Sequence, residues 1–316
     1  MRELIVHITP RSIFRSLHSD TLFGAICFAI EQIYGEDVLV KIIEKFENTP
    51  PFLLSSAFPY VKYDNGSDNE RVYFLPKPIE DLEKIGDYKK HIDSFKILKD
   101  VKYISRDIFN DWINDRIDGT YILQNMNKYS IKTGLLFPKE KELRFSIKNF
   151  DIPRNQINRL SNYSDIYHFN GYYCKNVGLF FMIRLYDEEY ETLLKGVFKF
   201  LRDRGFGEDI SVGKGEFDIE DISENKIFEL PKNQKRFITL SRYIPCKDEI
   251  DMFKVRHNVF YDIHLKRGRS FDGKLKKQVH FFSEGSTFPN LKNIYGKILP
   301  VHEKSIEYGY AFSVVF

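Results

Sequence analysis

Residues 3–9, Glu-Leu-Ile-Val-His-Ile-Thr, read as a short strand that stops at Pro10, where the ring removes a backbone donor. The apolar positions then switch to helical spacing. Leu22, Phe23, Ile26, Ile30, Ile33 and Tyr34 share one face of a helix that Ser19 can cap and Gly35 ends. Gly24 within that stripe costs helix stability, so its presence implies close backbone packing. Two further strands follow at 52–60 and 71–75, joined by the turn-rich Asp64-Asn-Gly-Ser-Asp. Residues 76–150 hold no sustained period, only a weak helical signal at 106–117, and read as an irregular insertion. The pattern sharpens again in an apolar strand at 177–186 and a helix at 187–204. On that helix Tyr190, Leu193, Leu194, Val197, Phe198 and Leu201 lie on one face. Acids crowd its first turn and Lys199, Arg202 and Arg204 its last, as the helix dipole favours, and Gly205 supplies the stop.

With a strand at 215–222 the series becomes strand, helix, strand, strand, helix, strand, which is the ferredoxin-like order. A second run begins near Arg236: a strand at 237–244, a short helix at 248–254, then strands at 259–265, 278–282, 296–301 and 308–316. The expected fold class is α+β, with two ferredoxin-like (RRM-like) domains at 1–230 and 231–316 and the insertion, about 76–150, in the first. Phe281, Phe282, Phe288 and the segment 312–316 offer more apolar surface than a small second domain readily buries, so some of it is expected to face a partner.

Composition narrows the class. With 316 residues, 42% hydrophobic and 29% charged, the chain can bury a core and is not a disordered tail. The net charge of +3 is too small to announce a polyanion partner, but its distribution says more. Residues 187–230 hold 6 basic and 13 acidic side chains, a net of −7, whereas 232–277 hold 13 and 5, a net of +8. A basic block beside an acidic one suggests a polyanion-binding surface. Cys27, Cys174 and Cys246 are isolated and form no C-x-x-C pair, which argues against zinc and a disulfide framework and fits a reducing cytoplasm. The charged start is unlike a signal peptide, and the longest apolar run, 177–183, is too short to span a bilayer, so no membrane partner is expected.

Three segments carry candidate chemistry. In 204–217, Gly205, Gly207, Gly213 and Gly215 surround Ser211 and Lys214 between a helix and a strand. Glycines allow positive φ, so successive N–H groups can converge on a phosphate, or the chain can simply turn; residue types leave both readings open. The segment is neither a Walker loop nor a Rossmann fingerprint, which disfavours a nucleotide-binding enzyme. Next, Arg154, Asn155 and Arg159 lead to Asn162, Tyr163 and Tyr167, residue types suited to phosphate, base edge and base face. Third, His264 and Phe271 bracket Arg267 and Arg269 in a basic run that reaches Lys276 and Lys277. No zinc-hydrolase or deaminase pattern occurs. His18 is the one histidine placed as a candidate acid or base, with no partner base evident nearby, and Asp20 reads first as a helix N-terminal charge.

These residues resemble the RAMP superfamily of CRISPR proteins, and within it the family of fourth subunits of type III-A effector complexes. The resemblance is carried by His18-Ser-Asp-Thr-Leu-Phe-Gly-Ala25, the glycine-rich loop 205–217, and Arg154–Arg159 with the Tyr172-Tyr-Cys strand entry. Gly285-Ser-Thr-Phe288 and the terminal 308–316 complete it. It implies RAMP domains, a thumb-like segment at about 140–175, and a non-catalytic subunit without a cofactor. Such a subunit holds the 5′ handle of the crRNA and sits between the large polymerase-like subunit and a backbone RAMP subunit. Gly205, Gly207, Gly213, Lys214 and Gly215 would form the handle-binding loop, with Arg154, Asn155 and Arg159 facing RNA. The alternative is a RAMP endoribonuclease that processes precursor crRNA through His18. Target cleavage by an aspartate after the first strand is disfavoured, because residues 9–19 contain no acid.

Overall fold

Strand β1 (Arg2–Pro10) lies deep in the molecule: Leu4, Ile5, Val6, His7 and Ile8 are all buried, so both of its faces are covered. The structure is a computed structural model that describes residues 2–64, 69–80, 92–157, 163–206, 213–255, 258–268, 274–302 and 305–316. After β1 come α1 (Ser19–Tyr34) and, past Gly35 at φ +91°, a second helix α2 (Glu36–Asn48) whose narrow apolar stripe buries only Ile42 and Phe46. Strands β2 (Phe52–Leu54), β3 (Phe58–Asp64) and β4 (Asn69–Pro76) follow.

The segment expected to be irregular is built largely of regular elements. It contains α3 (Ile92–Asp100), β5 (Tyr103–Ser105), α4 (Arg106–Ile113), α5 (Gly119–Gln124), β6 (Tyr129–Lys132) and β7 (Leu135–Pro138). Each element is so short that no window of 11 or more residues shows its period. They are stabilised by packing: β5 and β7 extend the main sheet, and Phe109 and Trp112 of α4 are buried in the common core.

A long hairpin, β8 (Ser146–Ile157) and β9 (Ser164–Lys175), forms its own two-stranded sheet. Then come β10 (Val177–Leu185), α6 (Tyr190–Arg204) and β11 (Phe217–Ser223). Among the described residues the main sheet has nine strands in the order β11-β1-β10-β3-β4-β5-β7-β6, with β2 also on β10; of these pairings only β5 with β7 is parallel. Helices α1 and α6 pack together, and Phe198 of α6 meets Phe181 of β10 edge-on at 5.5 Å.

The last part comprises β12 (Arg236–Thr239), α7 (Lys247–Lys254), β13 (Ile263–Lys266), β14 (Val279–Phe282), β15 (Thr287–Pro289), β16 (Ile298–His302), β17 (Ser305–Tyr308) and β18 (Ser313–Val315). Their described pairings are three small sheets, β15-β12-β18, β13-β14 and β16-β17. Ile238, Leu240, Tyr308, Tyr310 and Phe312 join the same core as β1 and α1. The expectation that some of these phenylalanines face a partner fails for Phe281, Phe288 and Phe312, which are at most 1% exposed: Phe312 joins this shared core, Phe288 packs with Phe237, Tyr243 and Tyr295, and Phe281 with Ile244, Val279 and Val301.

Candidate nucleic-acid interface

The loop between β1 and α1 brings the separate sequence motifs together. Its backbone takes hydrogen bonds from the glycine-rich segment on one side and from the hairpin on the other. Gly215 N–H donates to the Ile13 carbonyl at 3.1 Å, and Arg11 N–H to that of Glu216 at 2.8 Å. Phe14 and Tyr172 exchange both backbone bonds, at 2.9 and 2.8 Å, so residue 14 acts as a short third strand beside β9.

Gly205, Gly213 and Gly215 all have positive φ, at +91°, +73° and +72°. Gly205 N–H caps α6 through the Leu201 carbonyl at 2.7 Å, and the Gly215 carbonyl accepts from Phe206 at 2.9 Å. The two N–H groups of Gly205 and Gly215 are therefore committed inside the protein, and these glycines turn the chain. Gly213 differs: among the described residues a Cβ there would meet only the Glu216 carboxylate, at 3.7 Å, and the residue is exposed. Gly207, Ser211, Arg159 and Arg269 lie outside the described residues.

Three cations converge on one ring. Lys214 Nζ lies 3.4 Å from the centre of the Phe169 ring, the Arg15 guanidinium 4.4 Å and that of Arg154 5.6 Å. Phe169 is buried at 4% exposure, and Arg15 Nε also donates to the Asn170 carbonyl at 3.2 Å. The glycine loop and the hairpin, two of the sequence-predicted constellations, thus meet through the π face of a residue that sequence reasoning did not single out. Arg15 was missed as well. The signal for both was slight: a lone arginine in an unassigned loop, and a phenylalanine in a strand where burial is the default.

Along the hairpin, Lys148 pairs directly with Tyr173, and Arg154 with Tyr167, on the face that also holds Phe150 and Phe169. Tyr173, Tyr167 and Phe150 are 47%, 46% and 39% exposed, so rings alternate with cations along a solvent-facing stripe. Asn155 is exposed on the opposite face. A cleft of about 410 Å³ opens at the hairpin base, lined by Arg15, Asn149, Phe150, Asn170 and Tyr172, among others. Such a surface offers phosphate charge on the cations and stacking faces on the rings.

The third constellation is less uniform. Arg267 and Lys277 are exposed, but Lys276 Nζ is 3.3 Å from the buried Glu307 carboxylate, which also binds Lys266 at 2.9 Å. Lys276 is therefore held by a carboxylate. Lys266 reaches further, to Asp20 at 2.5 Å, and Arg242 reaches Asp20 at 3.1 Å. Burial pushes the Asp20 carboxyl up, but Lys266 and Arg242 outweigh it and hold the group below its ordinary range.

His18 does have a carboxylate partner, contrary to the sequence expectation. Its Nδ1 lies 2.8 Å from Glu284, which the fold brings in from far along the chain, and its ring stacks on His264 at 6.2 Å. Burial alone would raise Glu284, yet the contact with His18 and a hydrogen bond from Ser56 bring it down to about 2. His7 is a core histidine, fully buried, with Nε2 2.9 Å from the Tyr73 hydroxyl; burial lowers its pKa. Among the described residues, no three His, Cys, Asp or Glu side chains are grouped to hold a metal, and no helix is long and apolar enough to cross a membrane.

No family model matches the chain. A protein of Thermococcus onnurineus (strain NA1), named CRISPR system Cms protein Csm4, is 26% identical over 295 residues, covering 91% of this chain and 87% of that one. Among solved structures, one from a Csm3-Csm4 subcomplex of the type III-A CRISPR-Cas interference complex superposes with a TM-score of 0.71 at 20% identity, over 100% of this chain and 99% of that one. Another, from a Csm1-Csm4 cassette with pppApA, gives 0.61 at 22% identity over 99% and 97%. These two establish likeness of fold.

Proposed function

On the premise that this chain is a Csm4-like RAMP protein of the type III-A kind, we propose that it is a non-catalytic RNA-binding subunit of a Csm interference complex. In this reading it holds the 5′ handle of the crRNA and joins the large polymerase-like subunit to a backbone RAMP subunit. The names of the related structures, Csm3-Csm4 and Csm1-Csm4, support two protein partners of those kinds. The β11-β1-β10-β3 order is read as one ferredoxin-like unit, with β8–β9 as its thumb-like insertion.

The observation that carries RNA binding is the convergence of Arg15, Arg154 and Lys214 on Phe169 beside the exposed Gly213. The exposed Arg15 and half-buried Arg154 offer charge to an incoming phosphate, Lys214 adds its charge from its buried place against the ring, and the exposed tyrosines nearby offer stacking faces. The test is affinity for handle RNA at several salt concentrations. Each of Arg15→Ala, Arg154→Ala and Lys214→Ala is expected to weaken binding and to flatten the slope of log affinity against log salt by about 0.7, the value per phosphate on single strands. Unchanged slopes in all three would sink the assignment.

One observation favours the second reading, a processing endoribonuclease: Glu284 orients His18 beside His264. The same preparations decide it. Repeat RNA is expected to stay intact with and without magnesium; cleavage that disappears in His18→Ala would replace the binding-only function.

A further inference from the structure

Among the described residues, the ribbon of β13 and β14 has one closed edge and one open one. Phe282 exchanges both backbone hydrogen bonds with Tyr243, at 3.0 and 2.8 Å, so its N–H and C=O point away from β13. Ser283 N–H donates to the Asp262 carbonyl at 2.9 Å, which sets the phase of the β13–β14 ladder. Ile263 lies opposite Phe282 and Leu265 opposite His280. Antiparallel pairs alternate between bonded and non-bonded, so the N–H and C=O of Ile263 and Leu265 point outward, away from β14. Among the described residues no strand pairs with that edge.

The same two residues carry large aliphatic side chains, each 55% exposed, with Tyr261 at 46% on the same face. A bare edge with apolar side chains is a template for another strand, and proteins that do not use such an edge usually blunt it. Cations lie beside it: Arg267 follows β13 directly, and Lys277 precedes β14, both exposed, with the exposed acid Asp262 before β13. At the inner side the ribbon is anchored, because Lys266 is tied to Asp20 and Glu307. The edge is thus both presented and held in place.

We propose that β13 is a docking strand to which a protein partner adds an extended segment. That segment would set apolar residues at alternate positions against Ile263 and Leu265, and carboxylates against Arg267 and Lys277. Outward-pointing N–H and C=O groups at strand spacing are complementary to a peptide backbone. Isoleucine and leucine give RNA no stacking plane, which argues against a nucleic acid on this face. A second copy of this chain would bring the same excess of cations to the junction, and like charges there oppose pairing. The proposal rests on the reading of the chain as a complex subunit and assigns Arg267 and Lys277 to a protein contact.

The experiment uses the full chain co-expressed with the Csm3-like and Csm1-like subunits of the same source, measuring capture of each and, separately, affinity for handle RNA. Leu265→Pro removes an outward N–H and no ladder bond, so the ribbon itself is spared. Capture of one subunit is expected to fall at least tenfold in Leu265→Pro and in Ile263→Lys, with RNA affinity within twofold of the parent. Leu265→Val should behave as the parent. Hydrogen exchange on the unaltered chain should show the amides of residues 263 and 265 slowing when that subunit binds. Undiminished capture by both disruptive variants, or unchanged exchange at 263 and 265, overturns the docking strand while leaving the RNA reading intact. Loss of RNA affinity with capture retained makes this face a nucleic-acid surface instead. If the parent chain captures neither subunit, both the docking strand and the bridging role fall, and RNA affinity alone judges the rest.

Discussion

Gly213 and Gly215 stand two residues apart with nearly the same φ, yet their substitutions should have different consequences. A Cβ on Gly215 would collide with the carbonyl of Phe206, which is backbone and cannot swing aside. Gly215→Ala is therefore expected to destabilise the fold by about 2–4 kcal/mol, combining left-handed strain with the clash. Gly213→Ala meets, among the described residues, only the Glu216 carboxylate at ordinary contact distance and should cost only about 1 kcal/mol. Urea denaturation of the two variants separates them; equal losses would mean that the loop relaxes. Composition marked both as glycines in a rich segment and could go no further, since whether a glycine turns the chain or clears room for a ligand depends on what lies opposite it. The same limit applies to lysines 214 and 276. One faces an aromatic ring and the other a buried carboxylate, although Lys214 lies in the acidic block of the sequence and Lys276 in the basic one.

At the scale of elements, α1 illustrates how a helix terminus becomes a junction. Ser19 and Asp20 in its first turn are buried; Ser19 Oγ accepts from the Arg242 N–H at 3.0 Å, and Asp20 binds Arg242 and Lys266. The helix dipole favours an acid there, and the buried Arg242 and half-buried Lys266 make it indispensable. Asp20→Ala strands the buried Arg242 and leaves Lys266 to Glu307 alone, and a loss of about 3–5 kcal/mol is expected by chemical denaturation. A change under about 1 kcal/mol would show that water already screens the cluster. The periodicity of residues 22–34 identified the helix correctly, because spacing along one helix is a local property. Its end at Gly35 was also legible. The turn straight into α2 was missed, although Leu39, Ile42, Ile43 and Phe46 repeat there at helical spacing.

For the whole molecule, Glu284 links the N-terminal and C-terminal halves through His18 and Ser56. Its carboxyl is held near 2 rather than at its ordinary 4.5. A depressed carboxylate stabilises the folded state above the unfolded pKa, and that contribution is lost as pH falls through the range between the two values. The protein is expected to lose stability steeply between about pH 4.5 and 2, and Glu284→Gln should be less stable at neutral pH with a flatter decline on acidification. Thermal denaturation at a series of pH values checks this; parallel curves for parent and variant would exclude Glu284 as a source of the acid sensitivity.

The one-dimensional pattern by itself determined the elements whose signals repeat within a few residues: β1, α1, β10, α6, the short helix α7 and the α+β class. Those signals arise from side chains facing alternately or every third and fourth position, and no distant partner is needed to generate them. The order of small strands from β5 to β7 needed the sheet edge they pair with, because three or four residues carry no readable period. Likewise, the approach of Arg15 to Phe169, of His18 to Glu284 and of Lys276 to Glu307 was set by chain segments that meet only after folding. Charge and aromaticity can be counted along a chain. Which cation meets a ring, which meets a carboxylate and which remains at the surface depends on packing across the molecule, and that was decided by the tertiary structure alone.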